Sequence, residues 1–224
     1  MISQPFALFE PFQDRLETCI LSKADAIQAD ADILKALQIE NLASLHQIHG
    51  NTAVFVRAPT SRTLQADGLM TDAKNLTLTI RAADCQNFVV YAPGKNIIGL
   101  IHAGWRGLIA GIIPSYFQKL KDECGVEIED TFIGAGPSLC QNCAEFSDPA
   151  TELPGIPEKF INGRTADLRA FATYQLIAFG MNPEQFERYQ ACPRCDPKTW
   201  WTYRGGDRED VMKGRTNVLA CRLV

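Results

Sequence analysis

Apolar positions in this chain come in short runs, and their period switches repeatedly between two and nearly four, which predicts strands interleaved with helices. Leu16–Leu21 and Leu76–Ala82 alternate and read as strands. Phe6–Phe12 is aromatic and proline-flanked, a strand or an ordered arm. Ser22 can cap a helix within Ala24–Gln38, where Ile27, Leu34 and Leu37 fall on helical spacing. Ala43–His49 and Thr52–Val56 flank Gly50-Asn51, which predicts a hairpin with a two-residue turn. Phe88–Tyr91 and Ile97–Ile101 flank Ala-Pro-Gly-Lys and predict a second hairpin, apolar enough on both arms to be central. Leu108–Glu123 sets Ile109, Ile112, Ile113, Tyr116, Phe117 and Leu120 on one helical face. Thr131–Ala135, Phe186–Tyr189 and Thr216–Leu223 read as strands, and Asp167–Phe179 as a helix ended by Gly180. Asp148–Phe160 carries no assignable pattern, and Pro193–Arg215 reads as loop. Strands and helices alternate but several strands pair as hairpins, so the expected fold is α+β with mixed β-sheets, not a doubly wound parallel sheet.

The strand Ile97–Ile101 runs directly into His102 and then Ala-Gly-Trp-Arg-Gly. Gly104 and Gly107 permit a tight turn there, so a histidine stands at a strand end. His102 can ligate a metal or move a proton, and Arg106 can hold an anion. The chain has only two other histidines, His46 and His49. On a strand they point to opposite faces, and His49, beside the Gly50-Asn51 turn, is the better candidate to share a site with His102. Cys85, after Asp84, closes the strand Leu76–Ala82 and opens the second hairpin, so it can face His102 across that hairpin. One thiolate and two imidazoles suit Zn²⁺ with an open fourth position, and Cu can use the same set. Without a metal, Cys85 and His102 form a nucleophile and base pair.

Composition narrows the classes. The chain has 224 residues, 46% hydrophobic and 21% charged, enough for a sizeable core in one domain, 1–224. A formal net charge of −4 gives no general attraction to nucleic acid. No apolar run approaches the ~18 residues of a membrane span. The N-terminus, MISQPFALFEPFQDR, lacks a signal-peptide pattern, so a cytoplasmic location is expected. Eight cysteines are then expected as thiols rather than disulfides. Two C-x-x-C pairs, Cys140/Cys143 and Cys192/Cys195, stand much further apart than the pairs of a zinc ribbon. They read first as ordinary reduced thiols near a pocket, and second as a structural zinc site or redox pair. Trp200-Trp201-Thr202-Tyr203-Arg204 can anchor a loop by buried tryptophan, or offer a stacking wall and an anion contact.

The ordered set QIHG (47–50), ADG (66–68), ADC (83–85), HAGWRG (102–107), IGAGPSLCQNCAEF (133–146), DLRAFATYQLIAFGM (167–181) and CPRC…WWTYR…GR (192–215) resembles the YfiH/laccase-domain family from about Leu45 onward. Residues 1–44 are the divergent part. Members of that family carry the names of multicopper polyphenol oxidases and of purine nucleoside phosphorylases with adenosine deaminase activity. The resemblance implies a layered αββα fold with mixed β-sheets, similar to the catalytic domain of cytotoxic necrotising factor. It implies one Zn²⁺ on His49, Cys85 and His102. It implies phosphorolysis of adenosine, inosine, guanosine and methylthioadenosine, and deamination of adenosine, with purine nucleoside and phosphate as partners. Arg106 and Arg204 are then candidate anion clamps, Glu145 a proton shuttle, and Asp67 and Asp84 candidates to accept a ribose hydroxyl or orient an imidazole. The chain departs from the family at Glu17–Asp25, which lacks the usual Arg and glycine pair. It departs again at Gln86-Asn87, which lacks the usual proline after A-D-C, and at W-W-T-Y-R-G, which lacks one of two arginines. These departures fall on the anion-binding side and spare the metal ligands. A copper polyphenol oxidase of the multicopper kind is disfavoured because three histidines cannot supply a trinuclear cluster and a blue-copper site together. The same residues would also serve a metal-free Cys–His hydrolase, or a catalytically weak binding protein.

Overall fold

The computed structural model describes residues 1–224 and places two mixed β-sheets face to face between helices. The chain runs β1 (Ile2–Ser3), β2 (Leu16–Leu21), α1 (Asp30–Leu37), β3 (Leu42–Ala43), β4 (Ala53–Phe55), β5 (Gly68–Thr71) and β6 (Thr77–Ala82). It continues through β7 (Gln86–Ala92), β8 (Ile97–Ala103), α2 (Trp105–Ala110), α3 (Ile112–Cys124) and β9 (Phe132–Ala135). The last part holds α4 (Pro149–Glu152), β10 (Ile161–Asn162), β11 (Thr165–Ala166), α5 (Leu168–Ala178), β12 (Phe186–Arg188), α6 (Arg208–Met212) and β13 (Asn217–Leu223). One sheet has the order β1-β2-β13-β6-β3, the other β12-β9-β7-β8-β5-β4.

Alternation of side chains along each strand builds the layers. Between the sheets, Ile20, Leu78, Ile80 and Leu219 of the five-stranded sheet meet Leu69, Val89, Tyr91, Ile98 and Leu100 of the six-stranded one. On the far side of the six-stranded sheet, Phe88, Val90, Ile101 and Ile133 pack under Ile113, Tyr116 and Phe117 of α3 and Phe171 and Leu176 of α5. On the far side of the five-stranded sheet, Leu21, Leu42 and Val218 pack with Ile27 and with Ile33 of α1. The result is the αββα layering. Strands β7 and β8 are buried at every position because both their faces are covered, which is why they read as continuous apolar runs.

Several local expectations change. Phe6–Phe12 is an ordered arm, not a strand. Ala7–Phe12 winds into a 3₁₀ helix, and Phe6 and Phe9 bury edge to face with centroids 5.6 Å apart. The helix expected over Ala24–Gln38 splits into a 3₁₀ turn, Lys23–Asp25, and α1. Ala26 takes φ +53°, and Ile27 drops into the core between the two. The Leu108–Glu123 helix breaks at Gly111, φ +81°, separating α2 from α3. The hairpin expected at Gly50-Asn51 is absent. Strand β3 pairs parallel with β6 in one sheet and β4 pairs parallel with β5 in the other, so the segment between them crosses from sheet to sheet. The second hairpin, β7–β8, forms as expected, with Phe88 opposite Ile101 and Tyr91 opposite Ile98.

Candidate metal centre

The β7–β8 ladder pairs Gln86 with Ala103 and Asn87 with His102, so Cys85 enters just where β8 ends. His102 is buried, and its Nδ1 lies 2.8 Å from Oδ1 of Asp67. That contact fixes the ring and leaves Nε2 for the site. Asp67 is fully buried. Its carboxylate also accepts the backbone N–H groups of His49 at 2.9 Å, Gly50 at 2.7 Å and Ile48 at 3.3 Å. Those three bonds bend the crossing segment around Asp67 and hold His49 at φ +60°. His49 is thereby delivered by a loop folded on a carboxylate, not by a hairpin.

Cys85 follows Asp84, which takes φ +84°. Asp84 accepts the Thr202 hydroxyl at 2.6 Å and the Arg204 backbone N–H at 2.7 Å. Two residues other than glycine in the left-handed region, His49 and Asp84, mark a site whose surroundings over-determine its backbone. The Cys85 Sγ lies 3.9 Å from His49 Nε2, and the rings of His49 and His102 stand edge to face with centroids 4.9 Å apart. One donor atom from each of His49, Cys85 and His102 lies within 4.8 Å of the other two. A thiolate and two imidazoles at that spacing suit a borderline-soft metal ion with a position left for a further ligand.

Gly104 is what lets the donors meet. A Cβ there would stand 2.8 Å from His49 Cδ2 and 3.1 Å from Cys85 Sγ.

The electrostatics follow the contacts. Burial pushes the Cys85 thiol up, but hydrogen bonds from His102 and His49 bring it down to about 6. Burial pushes His102 down, but its bonds to Asp67 and Cys85 raise it to about 9. With no cation between them, these shifts favour the thiolate of Cys85 and the protonated ring of His102. Burial likewise raises Asp67, and bonds from His102 and Gly50 outweigh it and hold the carboxyl below its ordinary range. At Asp84 burial wins, and the carboxyl is raised despite its bonds from Thr202 and Arg204.

Cys85 opens on a cleft of about 50 Å³ that is also lined by Gly104, Trp105, Leu139, Leu168 and Arg204. That is room for a water or a small group, well below the ~300 Å³ of a typical ligand pocket. A larger cavity of about 320 Å³ is lined by residues of β1, β2, β13 and β6 of the five-stranded sheet, Cys19 and Cys221 among them, and by none of these donors.

A family model described as multi-copper polyphenol oxidoreductase laccase matches residues 21–222. The chain belongs to this family. A purine nucleoside phosphorylase of Rickettsia conorii is 27% identical over 128 residues, 57% of this chain and 52% of the relative. An adenosine deaminase, RL5, from an unknown prokaryote is 26% identical over 160 residues, 67% of this chain and 60% of the relative. The chain thus spans a little over half the length of these relatives. Among solved structures, YlmD from Geobacillus stearothermophilus superposes with a TM-score of 0.79 at 18% identity, covering 96% of this chain and 93% of that one. YfiH from Bacillus licheniformis gives 0.78 at 20% identity, with 93% of each chain covered. These two confirm the YfiH-type fold.

Within this laccase-family fold, the remaining candidates separate. Of Asp67 and Asp84, each expected either to accept a ribose hydroxyl or to orient an imidazole, Asp67 spends its oxygens on the His102 ring and the His49 loop, and Asp84 spends its own on the Thr202–Arg204 loop. Asp67 is fully buried, and Asp84, 9% exposed, borders the same cleft as Cys85 and Arg204. Arg204 borders the cleft, with its guanidinium 4.6 Å from the Phe146 ring centroid and bonded to the Glu145 carbonyl. Arg106 is exposed at the start of α2, stacked over Trp105 at 4.2 Å. The Glu145 carboxylate faces Arg164 at 3.5 Å and is exposed. His46 is exposed on an isolated bridge to Gln65, away from the donor set.

Two contributors went unread in the sequence. Thr202 holds Asp84, and Gln47 bonds both backbone groups of Arg81, at 2.7 and 2.9 Å, tying the His49 loop to β6. The only signal for either was its place inside a motif already noted, QIHG for Gln47 and WWTYR for Thr202.

The four cysteines of the C-x-x-C pairs, read first as ordinary reduced thiols near a pocket and second as a joint zinc or redox site, are gathered into one cluster. Cys140, Cys143, Cys192 and Cys195 bring their sulfurs within 4.8 Å of one another, so the protein has two groups that could hold a metal ion. No helix is long and apolar enough to cross a membrane.

Proposed function

We propose that this protein is a zinc-dependent purine nucleoside enzyme that cleaves nucleosides with phosphate and deaminates adenosine with water. The single observation that carries the reading is the convergence of His49, Cys85 and His102, with Asp67 behind His102, in a chain whose relatives are named for those two activities. His49, Cys85 and His102 would hold the ion. When bound there, zinc would supply Lewis acidity and the activation of water.

The chain's own residues do the rest. Asp67 sets the His102 tautomer. Arg204, at the mouth of the cleft, and Arg106, on the first turn of α2, offer cations to phosphate or to charge developing on the sugar. Trp105 and Leu139 supply apolar walls for a base. Glu145, exposed beside Arg164, is the candidate to carry protons. The cleft is smaller than a whole nucleoside, and Arg204 at its mouth, bonded to the Glu145 carbonyl, is the side chain whose movement would widen it. A reducing compartment such as the cytoplasm suits a site built on a thiolate.

Purified, zinc-loaded protein is expected to convert inosine and phosphate to hypoxanthine and ribose 1-phosphate, and adenosine and water to inosine and ammonia. Both products are separable by chromatography. Cys85→Ala should abolish both conversions. Turnover unchanged in Cys85→Ala, or no turnover of any purine nucleoside by loaded protein, overturns the proposal.

One observation favours a second reading. The Cys85 thiol, brought down to about 6 beside an imidazole raised to about 9, is also the resting state of a metal-free Cys–His hydrolase. Activity that survives exhaustive chelation and dies on thiol alkylation selects that reading. Metal analysis of the same sample distinguishes zinc from copper.

A further inference from the structure

We infer that Cys140, Cys143, Cys192 and Cys195 form a second, structural zinc site, independent of the His49–Cys85–His102 centre. Each half of the site is a C-x-x-C turn. The Cys143 N–H bonds the Cys140 carbonyl at 3.0 Å, and the Cys195 N–H bonds the Cys192 carbonyl at 3.1 Å. Both turns therefore project their two sulfurs to one side. Sulfur separations of 3.8 Å for Cys140–Cys195 and 3.5 Å for Cys143–Cys195 lie close to the edge of a tetrahedron with zinc–sulfur bonds of ~2.3 Å, which is ~3.8 Å. All eight cysteines are free, so these thiols are not consumed in disulfides.

The surroundings are arranged for a thiolate set. The backbone N–H of Cys140 points at Cys192 Sγ across 3.3 Å, an amide-to-sulfur bond of the kind that stabilises a ligating thiolate. Four thiols this close cannot all ionise against one another unless a cation joins them. A zinc ion with four thiolates carries a charge of −2, and two guanidinium groups stand beside the loops. Arg194 bonds the Cys143 carbonyl at 3.1 Å, and Arg169 bonds the carbonyls of Ser138 and Ala191, the residues just outside the two turns. These arginines hold the loops in register.

The consequence is mechanical. The turn at Cys192–Cys195 leads into Trp200–Arg204, and the turn at Cys140–Cys143 leads into Glu145 and Phe146. An ion clamping the two turns fixes the roots of the segments that meet where Arg204 stacks on Phe146. The site is a staple, with no open position for substrate.

The test is a metal count on purified protein by mass spectrometry. The expected result is two zinc ions per chain for the wild type, one for Cys85→Ser and one for the double variant C192S/C195S. If the double variant does not fold, the wild type and Cys85→Ser together decide. Titration with an organomercurial, in the presence of a chromogenic zinc chelator, should release a second equivalent of zinc as Cys140, Cys143, Cys192 and Cys195 become modified, as mapped on peptides. Cobalt-loaded Cys85→Ser should keep an intense thiolate-to-cobalt charge-transfer band of a tetrahedral tetrathiolate. One zinc per chain in the wild type, lost entirely in Cys85→Ser, overturns the inference, as does immediate alkylation of all four cysteines without zinc release. Neither outcome depends on turnover, so the proposed activity can fail while this site stands.

Discussion

At Gly104 a hydrogen atom stands where a methyl group would press on both His49 and Cys85. Its φ of −64° is one that alanine adopts freely, so Gly104→Ala carries no backbone penalty and acts only through that contact. The variant should keep its far-ultraviolet circular dichroism and bind the zinc proposed at His49, Cys85 and His102 about tenfold or more weakly, as read by competition with a chelator. Asp67→Asn tests the other support. An amide offers one acceptor oxygen where the carboxylate offers two, so a backbone N–H of the His49 loop or the His102 Nδ1–H loses its partner. Zinc affinity should fall about 10–100-fold, with about 1–3 kcal/mol of stability lost in denaturant titration. An affinity unchanged in Asp67→Asn would remove Asp67 from the positioning role. The donors were legible in the sequence because each sits beside a glycine or a strand end that the apolar pattern itself marks. The partners of Asp67 and Asp84 were not, since an aspartate before a strand looks alike whether it meets solvent or three backbone amides. Nor was the joining of Cys140/Cys143 to Cys192/Cys195. Loops 52 residues apart meet only because β12 lies parallel beside β9 and returns the chain to the same edge.

Elements were read best where one periodic face decided them. Strand β2 lies over the expected Leu16–Leu21, and the β7–β8 hairpin forms between the two expected arms, because central strands owe little to their ends. Helix α1 was overextended. The sequence supports helical spacing from Ala24, but burial of Ile27 in the core outweighs two turns of helix, and α1 begins afresh behind Ala29. Its new start is held by Asp32, whose carboxylate accepts the N–H groups of Gln28 at 3.0 Å and Ala29 at 2.8 Å. Those backbone bonds, Ala29 first, hold the Asp32 carboxyl below its ordinary value of 3.8. A carboxyl lowered on folding stabilises the folded state above its unfolded pKa and loses that contribution as pH falls through the folded one. Asp32→Ala should therefore cost about 0.5–1 kcal/mol at pH 7, at the low end because the group is solvent-screened. The gap between variant and wild type should close as pH drops below 3.8. Equal destabilisation at pH 7 and pH 3 would show that the loss is one of packing, not of the cap.

At the scale of the molecule, the layers share their strands. Side chains of β7 and β8 feed the inter-sheet core on one face and the helix-facing core on the other. Neither core can dissolve without exposing a strand that belongs to both, so the two sheets are expected to unfold together. Leu78 provides the probe. It is fully buried on β6, faces the inter-sheet core, and pairs with Cys221 of β13 and Ala43 of β3. Truncating it leaves a cavity that a strand laddered on both sides cannot collapse, so Leu78→Ala should cost about 2–5 kcal/mol. The tryptophans report from different layers: Trp200 is buried in the inter-sheet core, and Trp105 packs on the helical side beside the metal centre. In urea, fluorescence and circular dichroism should give one coincident transition in the wild type, and Leu78→Ala should move both curves by the same amount. A fluorescence change that separates from the loss of sheet would mean that the helical face carrying Trp105 opens first. The cleft beside Cys85 would then be controlled by a local unfolding of that face rather than by the release of Arg204 alone.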